Sequence, residues 1–243
     1  VHPCDMHSDS LIDEAVNFAG RSKLDGVIIL PPISENNDLA GALTRAHVNY
    51  VRLASIALDS VDHLVISNER SAAAAMADYL VALGHRRIGY IAGPKGMKST
   101  RERLEGFCDA LERHGITESD DLIATGEYTF ESGIECTRGL MDSPNPPTAI
   151  FASNDEMAVG AINAAQEMGL NVPEDLSVAG FDDSILASRI IPSLTTIRRP
   201  VRKMARLATS KLIAAIDGRT EEAQVGTVLD PALVKRNSTR SIL

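Results

Sequence analysis

Short apolar runs alternate along this chain with longer stretches of helical spacing. Residues 24–30 read as a strand that stops at Pro31 and Pro32, and residues 38–46 have helical character. Strand patterns come next at 50–55 and 63–66. An Ala-rich helix is predicted over 71–83, with Gly84 placed to close it. Residues 87–92 form the next strand pattern, stopped by Gly93 and Pro94. Residues 99–114 put Leu104, Phe107, Cys108 and Leu111 on one helical face, and Gly115 ends that pattern. A helix over 131–141 leads to a proline-rich breaker at 144–147. Then come a strand at 149–151, a helix at 155–168 and an apolar strand at 176–179 that ends at Gly180. A helix over 201–216 begins after Pro200, and 225–229 and 233–235 read as closing strands.

Strands that alternate with helices predict an α/β protein with parallel sheets covered by helices. The length of 243 residues is enough for a substantial core, in one large domain or two small ones. No apolar run approaches the ~20 residues needed to span a bilayer, and no signal peptide opens the sequence, which starts at Val1. Three cysteines, Cys4, Cys108 and Cys136, are too few and too scattered for a disulfide framework or a zinc site. They read as buried free thiols in a reducing compartment. A formal net charge of −9 disfavours contact with a phosphate backbone, so any DNA contact requires a separate basic module.

Enzyme motifs find no support. Gly93 to Thr100 has glycines and lysines, but only two residues separate Gly93 from Gly96, and Met97 stands where a phosphate loop needs lysine. Ser99 or Thr100 is better placed to cap a helix there. His2 and His7 lie near Cys4 and Asp5, an opportunistic metal-binding set at most, and His85 reads as a helix-end residue. No serine sits in a nucleophile elbow. No cofactor, resident metal or catalytic residue is expected.

Polar residues after strand patterns are more informative. Arg103, the pair Asn154 and Asp155, and the pair Asp182 and Asp183 all fall after strands of one expected sheet, where open α/β sheets bind ligands. A carboxylate accepts hydroxyl hydrogen bonds, a guanidinium donates a planar fork and an amide does both. Together they suit a polyhydroxylated ligand, with Tyr128 and Phe151 available to cover a sugar ring. The plainer reading is that Asp182 and Asn154 cap helices and that Arg103 lies on a helix surface.

Several stretches resemble the effector-binding core of the lactose-repressor (LacI/GalR) family. They are residues 80–93, 101–107, 147–161, 172–200 and 233–239, in matching order over roughly 24–239. The resemblance implies two Rossmann-like lobes with parallel sheets, as in type I periplasmic binding proteins. Three crossovers join them, near Asn68, near Arg198 to Pro200 and near Gly218, and the effector binds between the lobes. The lobes would comprise 1–67 with 199–218, and 68–198 with 219–243. By position, Arg103, Asn154 and Asp182 match family ligand contacts. Ser99, Tyr128 and Phe151 match pocket-lining positions, and Asn68 and Arg198, at crossovers from which Arg198 can reach the ligand, complete the expected ligand-binding set. Two departures stand out: Asn68-Glu69 replaces a common Asp-Asn, and Arg199 replaces a common Gln.

The function implied is that of a homodimeric, cytoplasmic transcription regulator without enzymatic activity, which senses a sugar-like molecule and touches operator DNA through a helix-turn-helix head. That head, and the first strand and helix of the N-terminal lobe, would lie outside these 243 residues, with 1–5 the remnant of the second strand. The alternative is a periplasmic sugar-binding protein of a transport system, which has the same two-lobed fold. A purine effector also stays open.

Overall fold

A computed structural model of the protein describes residues 8, 10–55, 63–117, 119–219 and 227–243. The order begins α1 (Leu11–Arg21), β1 (Gly26–Ile29), α2 (Asn37–Arg45), β2 (Asn49–Ala54) and β3 (Leu64–Ser67). It continues with α3 (Glu69–Ala82), β4 (Ile88–Ala92), α4 (Lys98–Arg113), β5 (Ile123–Thr125), α5 (Phe130–Met141), β6 (Ala149–Ala152) and α6 (Asp155–Glu167). Last come β7 (Ser177–Asp182), α7 (Ile185–Arg189), β8 (Thr195–Arg198), α8 (Val201–Ile216), β9 (Thr227–Leu229) and β10 (Ala232–Val234).

Two compact units share these elements. One consists of Val1–Asn68 and Pro200–Leu229, the other of Glu69–Arg199 and Asp230–Leu243. The first has a parallel sheet in the order β1-β2-β3-β9, against which α8 packs Met204, Leu207 and Ala208 around Val51 and Val65. The chain passes between units after residues 68, 199 and 229. The sequence reading put the last passage near Gly218 and gave 219–243 to the second lobe. The difference arises because β9 pairs in parallel with β3, Val65 facing Thr227, and so belongs to the first sheet.

The second unit has a six-stranded sheet, β10-β8-β7-β6-β4-β5, parallel except for β10 against β8. Its central strands are buried on both faces, which is why they read as continuous apolar runs. Tyr90, Phe107, Phe151 and Phe181 fill one side with α3 and α4, while Ile91, Ile150 and Val178 fill the other with α6. Gly84 ends α3 at φ +99°, the left-handed backbone expected of a helix-closing glycine.

Several expectations shift. β7 does not stop at Gly180 but runs through it to Asp182, so Asp182 is the strand's last residue rather than part of a loop. Helix α4 starts at Lys98, with Met97 as its cap residue, and neither Ser99 nor Thr100 caps it. Strands β5 and β8 and helix α7, of 3, 4 and 5 residues, are too short to have shown a period. Helix α1 is the one that the resemblance puts after segment 1–5; that segment, with His2, Cys4, Asp5 and His7, lies outside the described residues. Cys108 and Cys136 are half-buried and form no disulfide. His85 is fully buried and is not a simple helix-end residue, since its ring bonds the Thr148 hydroxyl at 2.9 Å and the Arg240 carbonyl at 3.2 Å. Among the described residues no helix is long and apolar enough to cross a membrane, and no three His, Cys, Asp or Glu residues gather as metal ligands.

Candidate functional site

Parallel strands bring their C-terminal ends to one sheet edge, and in the second unit β4, β6, β7 and β8 do so side by side. The segment after each strand therefore meets the segments after its neighbours. Helix α4 comes after β4 and carries Arg103 on its inner face, 5% exposed. The Arg103 Nε donates to Glu69 Oε2 at 2.7 Å, and Nη1 donates to the Ser153 carbonyl just past β6. Its Nη2 lies 4.0 Å from Asp182 Oδ1, and its guanidinium stacks 4.0 Å from the Phe181 ring centroid. Burial alone opposes the Arg103 charge, but Glu69 and then Asp182 outweigh it and hold the group above its ordinary range. Arg103 is thus a fixed cation and no surface residue.

Glu69, the first residue of α3, is 1% exposed and lies between two guanidiniums. Its Oε2 takes Arg103, and its Oε1 lies 3.1 Å from Arg199 Nε. Arg199 Nη1 in turn lies 3.5 Å from Asp182 Oδ1. Two cations and two carboxylates therefore alternate around a closed ring: Glu69, Arg103, Asp182, Arg199. Asp182 is its outermost carboxylate, with a side chain 36% exposed. Burial pushes its carboxyl above the usual range, although both arginines pull the other way. Asp182 also sits at φ +116°, and Asp183 and Tyr128 at φ +57° and +61°, left-handed conformations that cost side-chain-bearing residues energy and concentrate at functional sites.

Tyr128 closes the edge near β4. Its hydroxyl bonds Thr100 Oγ1 at 2.9 Å, and its ring centroid lies 6.0 Å from the Arg103 guanidinium. The ring fits because residue 93 is glycine: a Cβ there would come within 2.1 Å of it. Ser99 is half-buried at the start of α4, one residue before that Thr100 partner.

Other expected site residues are engaged elsewhere. Asn154 caps α6, its Oδ1 accepting from the Met157 amide and its Nδ2 donating to the Tyr128 carbonyl, both at 2.9 Å. The capping role held as the plainer alternative describes this residue, which secures the Tyr128 loop. Phe151 is fully buried in the core, 5.4 Å from Tyr90 and 6.1 Å from Phe107 between ring centroids, so it covers no ligand. The aromatic beside the guanidinium is Phe181. Arg198 pairs with Asp183, to which its Nε donates, and not with a member of the ring. Asn68 ends the first unit, its amide bonded to the Leu229 carbonyl at 2.9 Å. Glu69, Arg199 and Phe181 are the members that sequence reasoning missed; the available signal was the opposite charges of the two departures at 69 and 199. Asp155 is structural: it accepts from Thr196 Oγ1 at 2.5 Å and the Ser184 amide at 2.6 Å, and burial pushes its carboxyl up to about 6.

With this geometry in place, comparison with known proteins is direct. Residues 77–239 match the periplasmic binding protein-like domain. The chain is similar to a regulatory protein of the LacI family from Chloroflexus aggregans, at 30% identity and a TM-score of 0.87, over 97% of this chain and 84% of that one. The chain belongs to the lactose-repressor (LacI/GalR) family. It is also similar to the transcriptional regulator CelR in its cellobiose complex, at 30% identity and a TM-score of 0.86, covering 95% of this chain and 71% of that one. Among curated relatives, the probable HTH-type transcriptional repressor ExuR of Bacillus subtilis (strain 168) is 34% identical over 215 residues, which cover 88% of this chain. The chain spans 65% of that relative's length. Glu69 and Arg199, the two positions expected to depart from the common pattern, lie together, carboxylate to guanidinium at 3.1 Å.

Proposed function

We propose that this chain is the effector-binding core of a transcription repressor and that a sugar-like ligand binds at the Asp182 end of the ring. The observation that carries the reading is Asp182 itself. It is a carboxylate held on strained backbone at a sheet's C-terminal edge, with two guanidiniums beside it and a third of its side chain open to solvent. An oxygen so placed accepts ligand hydroxyls, while the arginines hold it in position and Tyr128 supplies a flat wall. Arg103, Asp182, Tyr128 and Ser99 are the proposed contacts from the expected set; Asn154 acts by holding the Tyr128 loop. The relatives are repressors, and one is a regulator bound to cellobiose, which favours the regulator over a transport protein.

In the whole protein, ligand binding would change operator affinity through a helix-turn-helix segment, in a cytoplasmic homodimer with the units Val1–Asn68 plus Pro200–Leu229 and Glu69–Arg199 plus Asp230–Leu243 as its lobes. A ligand shifts such an equilibrium only by its differential affinity for two conformations. Coupling of ~1–3 kcal/mol, about 5–150-fold, is typical. No bond-making chemistry enters this reading.

The test is a calorimetric and thermal-shift screen of monosaccharides, disaccharides, sugar phosphates and purines. A saccharide hit should weaken by ~1.5–3 kcal/mol in Asp182→Ala, the range for a hydrogen bond to a charged group. Undiminished binding in that variant would move the site elsewhere.

A further inference from the structure

The ring of charges also bears on which ligands this site accepts. Arg103 and Arg199 look like an anion receptor, but the structure surrounds both with carboxylate. Arg103 is bonded to Glu69 at 2.7 Å, and Arg199 lies 3.1 Å from Glu69 and 3.5 Å from Asp182. The four formal charges cancel. Within the ring, Glu69 Oε1, Asp182 Oδ1 and Arg199 Nε are buried without a well-aligned protein hydrogen bond: two acceptors and one donor. Groups that best complete such a set both donate and accept, as hydroxyls do. A ligand carboxylate or phosphate only accepts. It would leave the outer acceptor, Asp182 Oδ1, unanswered and add negative charge beside two existing carboxylates, an arrangement that low-dielectric surroundings penalise.

We infer that Glu69 is a specificity-determining residue that closes this site to anionic ligands, so that the protein selects a neutral, hydroxyl-rich ligand over its acidic or phosphorylated counterpart. Glu69 acts through the two arginines and not by touching ligand, for it is 1% exposed. It neutralises the cations that would otherwise attract an anion. The inference rests on the ligand site proposed above, yet the charge ring it depends on stands independently of which sugar binds.

The experiment titrates wild type and Glu69→Gln with matched pairs (glucose with glucuronate and glucose 6-phosphate, galactose with galacturonate) and with inorganic phosphate alone. Calorimetry and melting temperature are the readouts. Wild type should respond to neutral members and not to their acidic partners. Glu69→Gln, nearly isosteric but leaving a net positive ring, should gain at least tenfold in affinity for the acids or for phosphate. Glu69→Gln/Arg199→Gln restores neutrality and should lose that gain.

Tighter binding of an acid than of its neutral partner by wild type overturns the inference. So does an acid affinity in Glu69→Gln within twofold of wild type, or a gain that survives in the double variant. If Glu69→Gln is unfolded in plain buffer, recovery of its melting transition by phosphate or uronate counts as the gain, and failure to recover counts against it. A wild type blind to every sugar, with the anion gain still present in Glu69→Gln, would sink the sugar-sensor reading and leave charge selection standing.

Discussion

Asp182 and Asp183 are chain neighbours at the end of one strand, and they belong to opposite kinds of charge cluster. Asp183 is satisfied: its two oxygens accept from Arg198 and Arg236, and Arg236 also donates to the Leu194 carbonyl at 2.7 Å. Burial works to raise the Asp183 carboxyl, but those hydrogen bonds and charges overcome it, so it lies below the usual range. Asp182 faces its two guanidiniums at 3.5 and 4.0 Å without a well-aligned bond, and burial raises it. One carboxylate fastens β7 to the segment after β10. The other is left incompletely answered at the sheet edge where ligand is proposed to bind. Strain and unmet hydrogen bonding at Asp182 are what a stability-minded design would remove and what a binding site retains.

The largest effect should come from breaking the ring from beneath. Glu69→Ala leaves two guanidiniums, one almost wholly buried, without their shared carboxylate. Loss of one partner of a buried pair costs about 3–5 kcal/mol, to be read in a urea or thermal unfolding curve. A loss below about 1 kcal/mol would mean that water solvates the arginines and that the ring is not a buried network. Asp183→Ala should cost less, about 1.5–3 kcal/mol as for charge-assisted hydrogen bonds, because Arg198 is 58% exposed and solvent replaces part of its interaction. Effector affinity should not change. Its pH signature comes from the depressed carboxyl: the stabilisation is present above the unfolded value near 4 and disappears as pH falls through the lower folded value. An unfolding midpoint measured from pH 7 down to acid should show wild type and variant converging.

How much of this was readable beforehand differs between fold and site. The buried parallel strands of the second unit were legible because burial on both faces leaves an uninterrupted apolar run, as in Ile88 to Ala92. The same property hid how near the sheet edge an aromatic lies. Phe151 and Phe181 are on one side of the sheet, and an uninterrupted apolar run does not tell Phe151, which packs on Tyr90, from Phe181, which lies two positions nearer the C-terminal edge under Arg103. β8 was invisible because Thr195 to Arg198 is short and mostly polar, its threonines engaged by Ser238, Thr239 and Asp155 from distant parts of the chain. Arg103 and Asp182 were legible as charges after strands. Glu69 was not, since it opens a helix whose pattern starts at Ser71, and its meaning depends on Arg199. Pairings between remote charges at chain crossovers leave no local trace.

The smallest effect is the most discriminating, because its sign should be opposite to that of Asp183. A carboxyl raised in the folded state favours folding more when protonated. Its contribution is therefore full below the unfolded value near 4 and diminishes as pH rises through the folded value. Asp182 thus detracts from stability at neutral pH. Asp182→Asn, which keeps the shape and removes the charge, should raise stability at pH 7 slightly, by about 0.2–1 kcal/mol given the side chain's partial exposure. That gain should vanish toward pH 3, while effector affinity falls. A variant destabilised at pH 7 would mean that the attraction of Arg103 and Arg199 outweighs burial at Asp182. In that case the two neighbouring acids would differ in what they hold and not in what they cost, and Asp182 would no longer stand as a residue kept for ligand at the expense of stability.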